Sequence, residues 1–131
     1  DRTIKFYEDL FDLKVDKRML EEGEYIDTLV NIKNVSIEWA KMSAKDGTVL
    51  EFLEYKNTPR DLDEQNFPMA NRLGCSHIAV SVDNIDVTYK KLLEYGCKCN
   101  SEPLFSPDGN VKVMYCYDLD GCILEVVEEL K

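Results

Sequence analysis

The chain states one pattern twice. Asp46-Gly47-Thr48-Val49-Leu50-Glu51-Phe52-Leu53-Glu54 returns as Asp120-Gly121-Cys122-Ile123-Leu124-Glu125-Val126-Val127-Glu128. Each copy reads as a Gly turn, then a short apolar strand with a carboxylate in its middle. An earlier echo links Asp1-Arg2-Thr3-Ile4-Lys5 to Asp86-Val87-Thr88-Tyr89-Lys90, and each opens a helical stretch. Duplication of this kind restricts the fold to two similar modules about a pseudo-twofold axis. A site on that axis would receive Glu51 and Glu125 as partners.

The second module also has a strand ahead of its helix, Gly74-Cys75-Ser76-His77-Ile78-Ala79-Val80-Ser81-Val82. The first module has no counterpart, because the chain begins at the helix. The repeat therefore predicts that the first strand of module one is absent from this chain. Whatever faces His77 across the axis would belong to that strand.

At 131 residues the chain suits one domain with a real core. Its net charge of -10 argues against nucleic acid as a partner, since phosphates demand Lys/Arg clusters. The apolar runs are of strand length, so no membrane span is expected. The five cysteines, Cys75, Cys97, Cys99, Cys116 and Cys122, form no Cys-x-x-Cys pair. Their odd number reads as a reduced, cytoplasmic protein. Cys97 and Cys99 alternate on an expected strand and share a face, where two thiols suit a soft metal but small buried side chains are the default.

Hydrophobic periodicity predicts a helix over 1–12, with Ile4, Tyr7, Leu10 and Phe11 on one face. Strands are expected near 13–20, 35–42 and 48–55, and residues 25–32 fit a short helix as well as a strand. Residues 56–73, with Pro59 and Pro68, read as a linker between module one (1–55) and module two (74–131). In module two a strand over 75–82 precedes a helix capped by Asp83-Asn84 and ended at Gly96. Strands then follow near 97–101, 111–117 and 122–128.

Strand alternation puts Glu51, Leu53 and Tyr55 on one row, and Leu50 and Phe52 on the other. Glu125 and Val127 likewise oppose Leu124 and Val126, and His77, Ala79 and Ser81 oppose Ile78, Val80 and Val82. The apolar rows should meet the helices, leaving Glu51, His77 and Glu125 to face away from them. Taken singly, each Glu reads as a charge at a sheet margin, and His77 as a hydrogen-bonded core residue. Taken together, two symmetry-related carboxylates and the chain's one imidazole read equally well as ligands of a borderline divalent ion such as Zn, Ni, Co, Mn or Fe(II). Glu54 and Glu128 fall on the opposite row near strand ends and read as solvated. Trp39, Tyr115 and Tyr117 line a pocket or fill the core. No Ser/His/Asp set, phosphate-cradling loop or nucleotide motif is present.

Three segments carry a resemblance to the vicinal oxygen chelate superfamily, which includes glyoxalase I, methylmalonyl-CoA epimerase, fosfomycin- and bleomycin-resistance proteins and extradiol dioxygenases. The stretch from Asp1 to Val15 resembles its first helix, and Gly74 to Asn84 the opening strand of its second module. Tyr117 to Glu128 is similar to its closing strand, with Leu119 in place of the usual Pro and Cys122 in place of the common Asn. With Val49 to Tyr55 the match spans nearly the whole chain. The resemblance implies an α+β fold, with paired βαβββ modules whose mixed sheet curls around a metal-binding cleft. It puts the ligand positions on Glu51, His77 and Glu125, and a fourth ligand, usually His or Gln, on the absent strand.

It further implies a small-molecule substrate whose neighbouring oxygens chelate the ion, enolate stabilisation, and a carboxylate base, Glu51 or Glu125. A lyase, isomerase or epimerase of glyoxalase type is the activity expected, in a homodimer. An Fe(II) dioxygenase, a thiol transferase acting on an epoxide, and a metal-free binding protein are the alternatives.

Overall fold

The computed structural model describes residues 1–57, 67–71, 73, 74 and 77–130. Along the chain the elements are α1 (Arg2–Phe11), β1 (Lys14–Glu22), α2 (Glu24–Val30), β2 (Ser36–Ser43), β3 (Val49–Tyr55), β4 (Ile78–Ser81), α3 (Ile85–Glu94), β5 (Leu104–Phe105), β6 (Val111–Tyr117) and β7 (Ile123–Glu129). The fold is α+β, as expected. Most of the predicted linker, 58–66 and residue 72, lies outside the described residues, as do Cys75 and Ser76. The chain packs as two compact units, one of residues 12–63 and one of residues 1–11 with 64–131.

The unit of residues 12–63 is an antiparallel sheet in the order β1-β2-β3. Two sequence features close its hairpins. Asp46 accepts the Thr48 N–H at 2.9 Å beside Gly47, whose φ of 88° suits a residue without a Cβ. The ambiguous segment 25–32 settles as helix α2, ended by Asn31 in the left-handed region. Asp27 of α2 accepts the N–H groups of Asn34 and Val35 at 2.7 and 2.9 Å, which ties the helix to the start of β2. Ile26 then packs with Val35, Ile37 and Trp39, with Val30 and Tyr55 alongside.

This packing corrects one expectation. In the strand register Ile37 faces Tyr55, Trp39 faces Leu53 and Lys41 faces Glu51, so all six share a row. The row was expected to face away from helices. Instead α2 crosses its Ile37 end, because the β1–β2 connection folds back over the sheet, and only the Lys41–Glu51 end lies beyond that cluster.

The other unit holds the sheet β4-β7-β6-β5, in which β4 runs parallel to β7 and the rest is antiparallel. The register pairs Ile78 with Leu124 and Val80 with Val126, and β6 contributes Met114 and Cys116 to the same row. Met114, Cys116, Leu124 and Val126 are buried, as are Ile85 and Leu92 of α3. The Asn84 side chain accepts the Val87 N–H at 3.0 Å and caps α3, as its sequence predicts. Helix α1 joins this unit: the Phe6 and Tyr95 rings meet edge-on at 5.3 Å, and Lys91 donates to the Asp9 carbonyl at 3.0 Å.

Two further expectations need correcting. The strand predicted over 97–101 reduces to a single bridge at Cys99, and the outer strand resumes only at β5. Pro103 offers no N–H to a ladder, and the Ser101 hydroxyl turns back to the Glu102 carbonyl at 2.8 Å. Glu128, read as solvated, is half-buried and accepts the Ile85 N–H at 2.8 Å, so its charge serves the start of α3. Its repeat mate Glu54 pairs at the surface with Lys56, 2.7 Å away.

Candidate functional site

The two hairpins reproduce each other in register. In β3 Glu51 lies opposite Lys41, and the strand ends pair Ser43 with Val49. In β7 Glu125 lies opposite Tyr115, and the ends pair Tyr117 with Ile123. Shifting every number by the interval between Glu51 and Glu125 converts one set of pairs into the other. The repeat in the sequence is therefore a repeat in hydrogen-bonded geometry, and each carboxylate occupies the same rung of its hairpin.

Parity holds in the unit that contains β4. Ala79 pairs with Glu125 across the parallel ladder, and His77 lies two residues before Ala79 on the same row. That row is opposite the Leu124–Val126 row that helps form the core. His77 Nε2 lies 3.1 Å from Glu125 Oε2, with the two side chains about one-third and one-quarter exposed (32% and 27%). The Tyr115 ring stacks at a tilt on His77, centroids 5.3 Å apart. Burial, the Glu125 charge and hydrogen bonding to that carboxylate together raise the Tyr115 phenol above its ordinary pKa.

Glu51 has a different setting. It is exposed, and Lys41 Nζ lies 3.6 Å from its carboxylate. Lys41 and Lys17 also stand over the Trp39 ring, each 5.4 Å from the centroid. Of the three residues singled out in the sequence, His77 and Glu125 thus meet within one compact unit, and Glu51 belongs to the other. Among the described residues, no three of His, Cys, Asp and Glu form a ready ligand cage. The donor chemistry of the pair still fits a divalent ion. An imidazole nitrogen and a carboxylate, half-buried and adjacent, are two members of the mixed N/O set that borderline metals take.

A family profile, the Glyoxalase/Bleomycin resistance protein/Dioxygenase superfamily, matches residues 1–126. The chain belongs to that superfamily. Among solved structures, a glyoxalase family protein from Bacillus cereus is similar at a TM-score of 0.88 and 23% identity, over 100% of this chain and 87% of that one. Glyoxalase I from Zea mays matches at 0.62 and 18%, over 99% of this chain but 43% of its own. FosX, a fosfomycin resistance protein from Listeria monocytogenes, matches at 0.61 and 14%, over 98% and 83%. Comparison with the curated proteins finds no match. At these identities the structures attest the glyoxalase-type fold alone.

For this glyoxalase-superfamily chain, sequence reasoning left Tyr115 between pocket and core and did not single out Lys41. A signal for both was present. A tight hairpin pairs residues equidistant from its turn, so counting back across Asp46-Gly47 from Glu51 reaches Lys41, and across Asp120-Gly121 from Glu125 reaches Tyr115.

Proposed function

We propose that the protein is a divalent-metal-dependent lyase, isomerase or epimerase of glyoxalase type, which moves a proton next to a carbonyl. The observation that carries this reading is the His77–Glu125 contact at 3.1 Å, with Tyr115 against both. Glu51, His77 and Glu125 are the proposed metal residues, with Zn, Ni, Co, Mn or Fe(II) as the ion. When bound, the ion would supply Lewis acidity that stabilises an enolate.

The chain's own groups supply the rest. Glu51 or Glu125 takes and returns the proton as general base and acid. Tyr115, the cross-strand partner of Glu125, stands beside that carboxylate, where its hydroxyl can donate to it and steady its charge. His77 faces Glu125 through Nε2, and its ring is held by Tyr115. Glu51 must exchange Lys41 for the ion before it can act as a ligand. The substrate is a small molecule with two neighbouring oxygens, and the working form is a cytoplasmic homodimer.

Metal analysis of the purified full-length protein tests the reading. Stoichiometric divalent metal is expected, and His77→Ala should lower bound metal roughly tenfold or more while the fold persists. If that variant keeps its full metal content, His77 is a core histidine and the reading fails. A second reading, a metal-free binding protein, is favoured by one observation, the Lys41–Glu51 ion pair. Absence of metal from protein isolated without chelator, and no uptake of added ion, would turn the conclusion to that reading.

A further inference from the structure

Cys99 and Cys116 lie on the helix side of the four-stranded sheet, on the row opposite His77 and Glu125. Cys99 and Cys116 face each other directly as the single bridge that joins residue 99 to β6. The hydrogen bonds flanking this bridge fix its type. The Asn100 N–H donates to the Tyr115 carbonyl at 2.8 Å, and the Tyr117 N–H donates to the Lys98 carbonyl at 2.9 Å. Residues 99 and 116 exchange no backbone bond, so they form a non-hydrogen-bonded antiparallel pair. Such pairs hold their Cα atoms about 4.5 Å apart, with side chains at closest approach. A disulfide needs Cα atoms about 4.4–6.8 Å apart, so the bond fits here with little backbone movement. Both thiols are free in the structure.

We propose that Cys99 and Cys116 are a built site for a reversible cross-strand disulfide, formed when hydrogen peroxide oxidises the partly exposed Cys99 and the buried Cys116 resolves it.

The environment divides the roles. Cys99 is partly exposed and Cys116 is fully buried. Hydrogen bonding from Cys116 holds the Cys99 thiol below its ordinary pKa, whereas that bond and burial raise Cys116. Cys97 is buried and pushed up to about 11, mainly by that burial, which disfavours its thiolate as the attacking group. The Cys99 thiolate attacks one peroxide oxygen and the O–O bond breaks. The hydroxide expelled takes up the proton that Cys99 released and leaves as water. Cys99 is then a sulfenic acid. The Cys116 sulfur attacks the Cys99 sulfur, the S–O bond breaks, and the hydroxyl leaves as a second water with the Cys116 proton. Two thiols are oxidised to one disulfide, and one hydrogen peroxide is reduced to two waters. The new bond would clamp residues 98–100 to β6 beside Tyr115, the residue that contacts His77 and Glu125 on the opposite face.

The test uses the full protein and hydrogen peroxide, followed by alkylation of remaining thiols and non-reducing peptide mapping. Expected is a Cys99–Cys116 linked peptide that disappears on reduction, with a higher melting temperature for the oxidised form. Cys97→Ser should keep the link, and Cys99→Ser should abolish it. Cys116→Ala, which leaves Cys99 without its partner, should let Cys99 proceed to sulfinic acid. A link from Cys99 to any other cysteine, over-oxidation of Cys99 in the unaltered protein, or no oxidation under peroxide excess would each overturn the proposal.

Discussion

Asp118 carries no chemistry at the candidate site, yet three groups converge on its buried carboxylate. One oxygen accepts the N–H groups of Asp120 and Cys122 at 3.0 and 2.8 Å, which shapes the turn ahead of β7. The other accepts the Tyr7 hydroxyl at 2.8 Å. Burial first, then the Asp118 charge, drives the Tyr7 phenol far above its usual range, so it remains a donor at any pH where the fold persists. Helix α1 is thereby tied to the turn that precedes the strand bearing Glu125. Tyr7→Phe keeps the ring contacts and removes only the donor to a charged, buried acceptor. A loss of about 1.5–3 kcal/mol is expected in urea unfolding, and a change of a few tenths would show that the bond contributes nothing net.

At the scale of elements, β1, β2 and the end of β3 are bridged by a cross-strand clamp at Glu38. Glu38 of β2 receives Arg18 of β1 at 2.5 Å and Lys56, just past β3, at 2.6 Å. Hydrogen bonding to Lys56 and then Arg18 lowers the Glu38 pKa from its ordinary 4.5. The unfolded chain therefore binds this proton more readily than the folded one. The clamp's contribution is complete above pH 4.5 and is lost as pH falls through the lower folded value. Glu38→Gln should flatten the acid limb of stability against pH and leave the slope near neutrality unchanged. An unaltered acid limb would mean that solvent screening has already removed the effect, as it does for many exposed pairs. At this scale the sequence was legible where periodicity was strong. It failed at 97–101, where Pro103 and the Ser101 turn interrupt an otherwise strand-like alternation.

For the whole molecule, sequence and packing divide the chain differently. The repeat separates residues 1–55 from 74–131, whereas compactness groups α1 with residues 64–131. The helix of the first repeat is thus recruited to the second sheet's unit by Tyr7, Thr3 and Asp9, which bond Asp118, Asp120 and Tyr95. Among the described residues, no helix is long and apolar enough to cross a membrane. Strand β1 is an outer strand on which Val15, Met19 and Leu20 are exposed, and an open strand of this kind invites a second chain. A homodimer is expected by light scattering at working concentration, and Leu20→Lys together with Met19→Lys should shift it toward monomer. A monomer mass for the unaltered protein would count against that assembly.

What the sequence determined by itself rests on period and on local chemistry. Strand alternation put His77 and Glu125 on one row and Leu124 and Val126 on the other, because successive side chains must alternate whatever surrounds them. The turn glycines and the Asn84 cap were equally local. Tertiary structure alone decided who meets whom. It brought Tyr115 against His77, turned Glu128 toward Ile85 and set Cys99 opposite Cys116. Those contacts depend on strand register and on how a connection folds back over a sheet. Both are set by the summed packing of many residues far apart in the chain, which no short window of sequence contains.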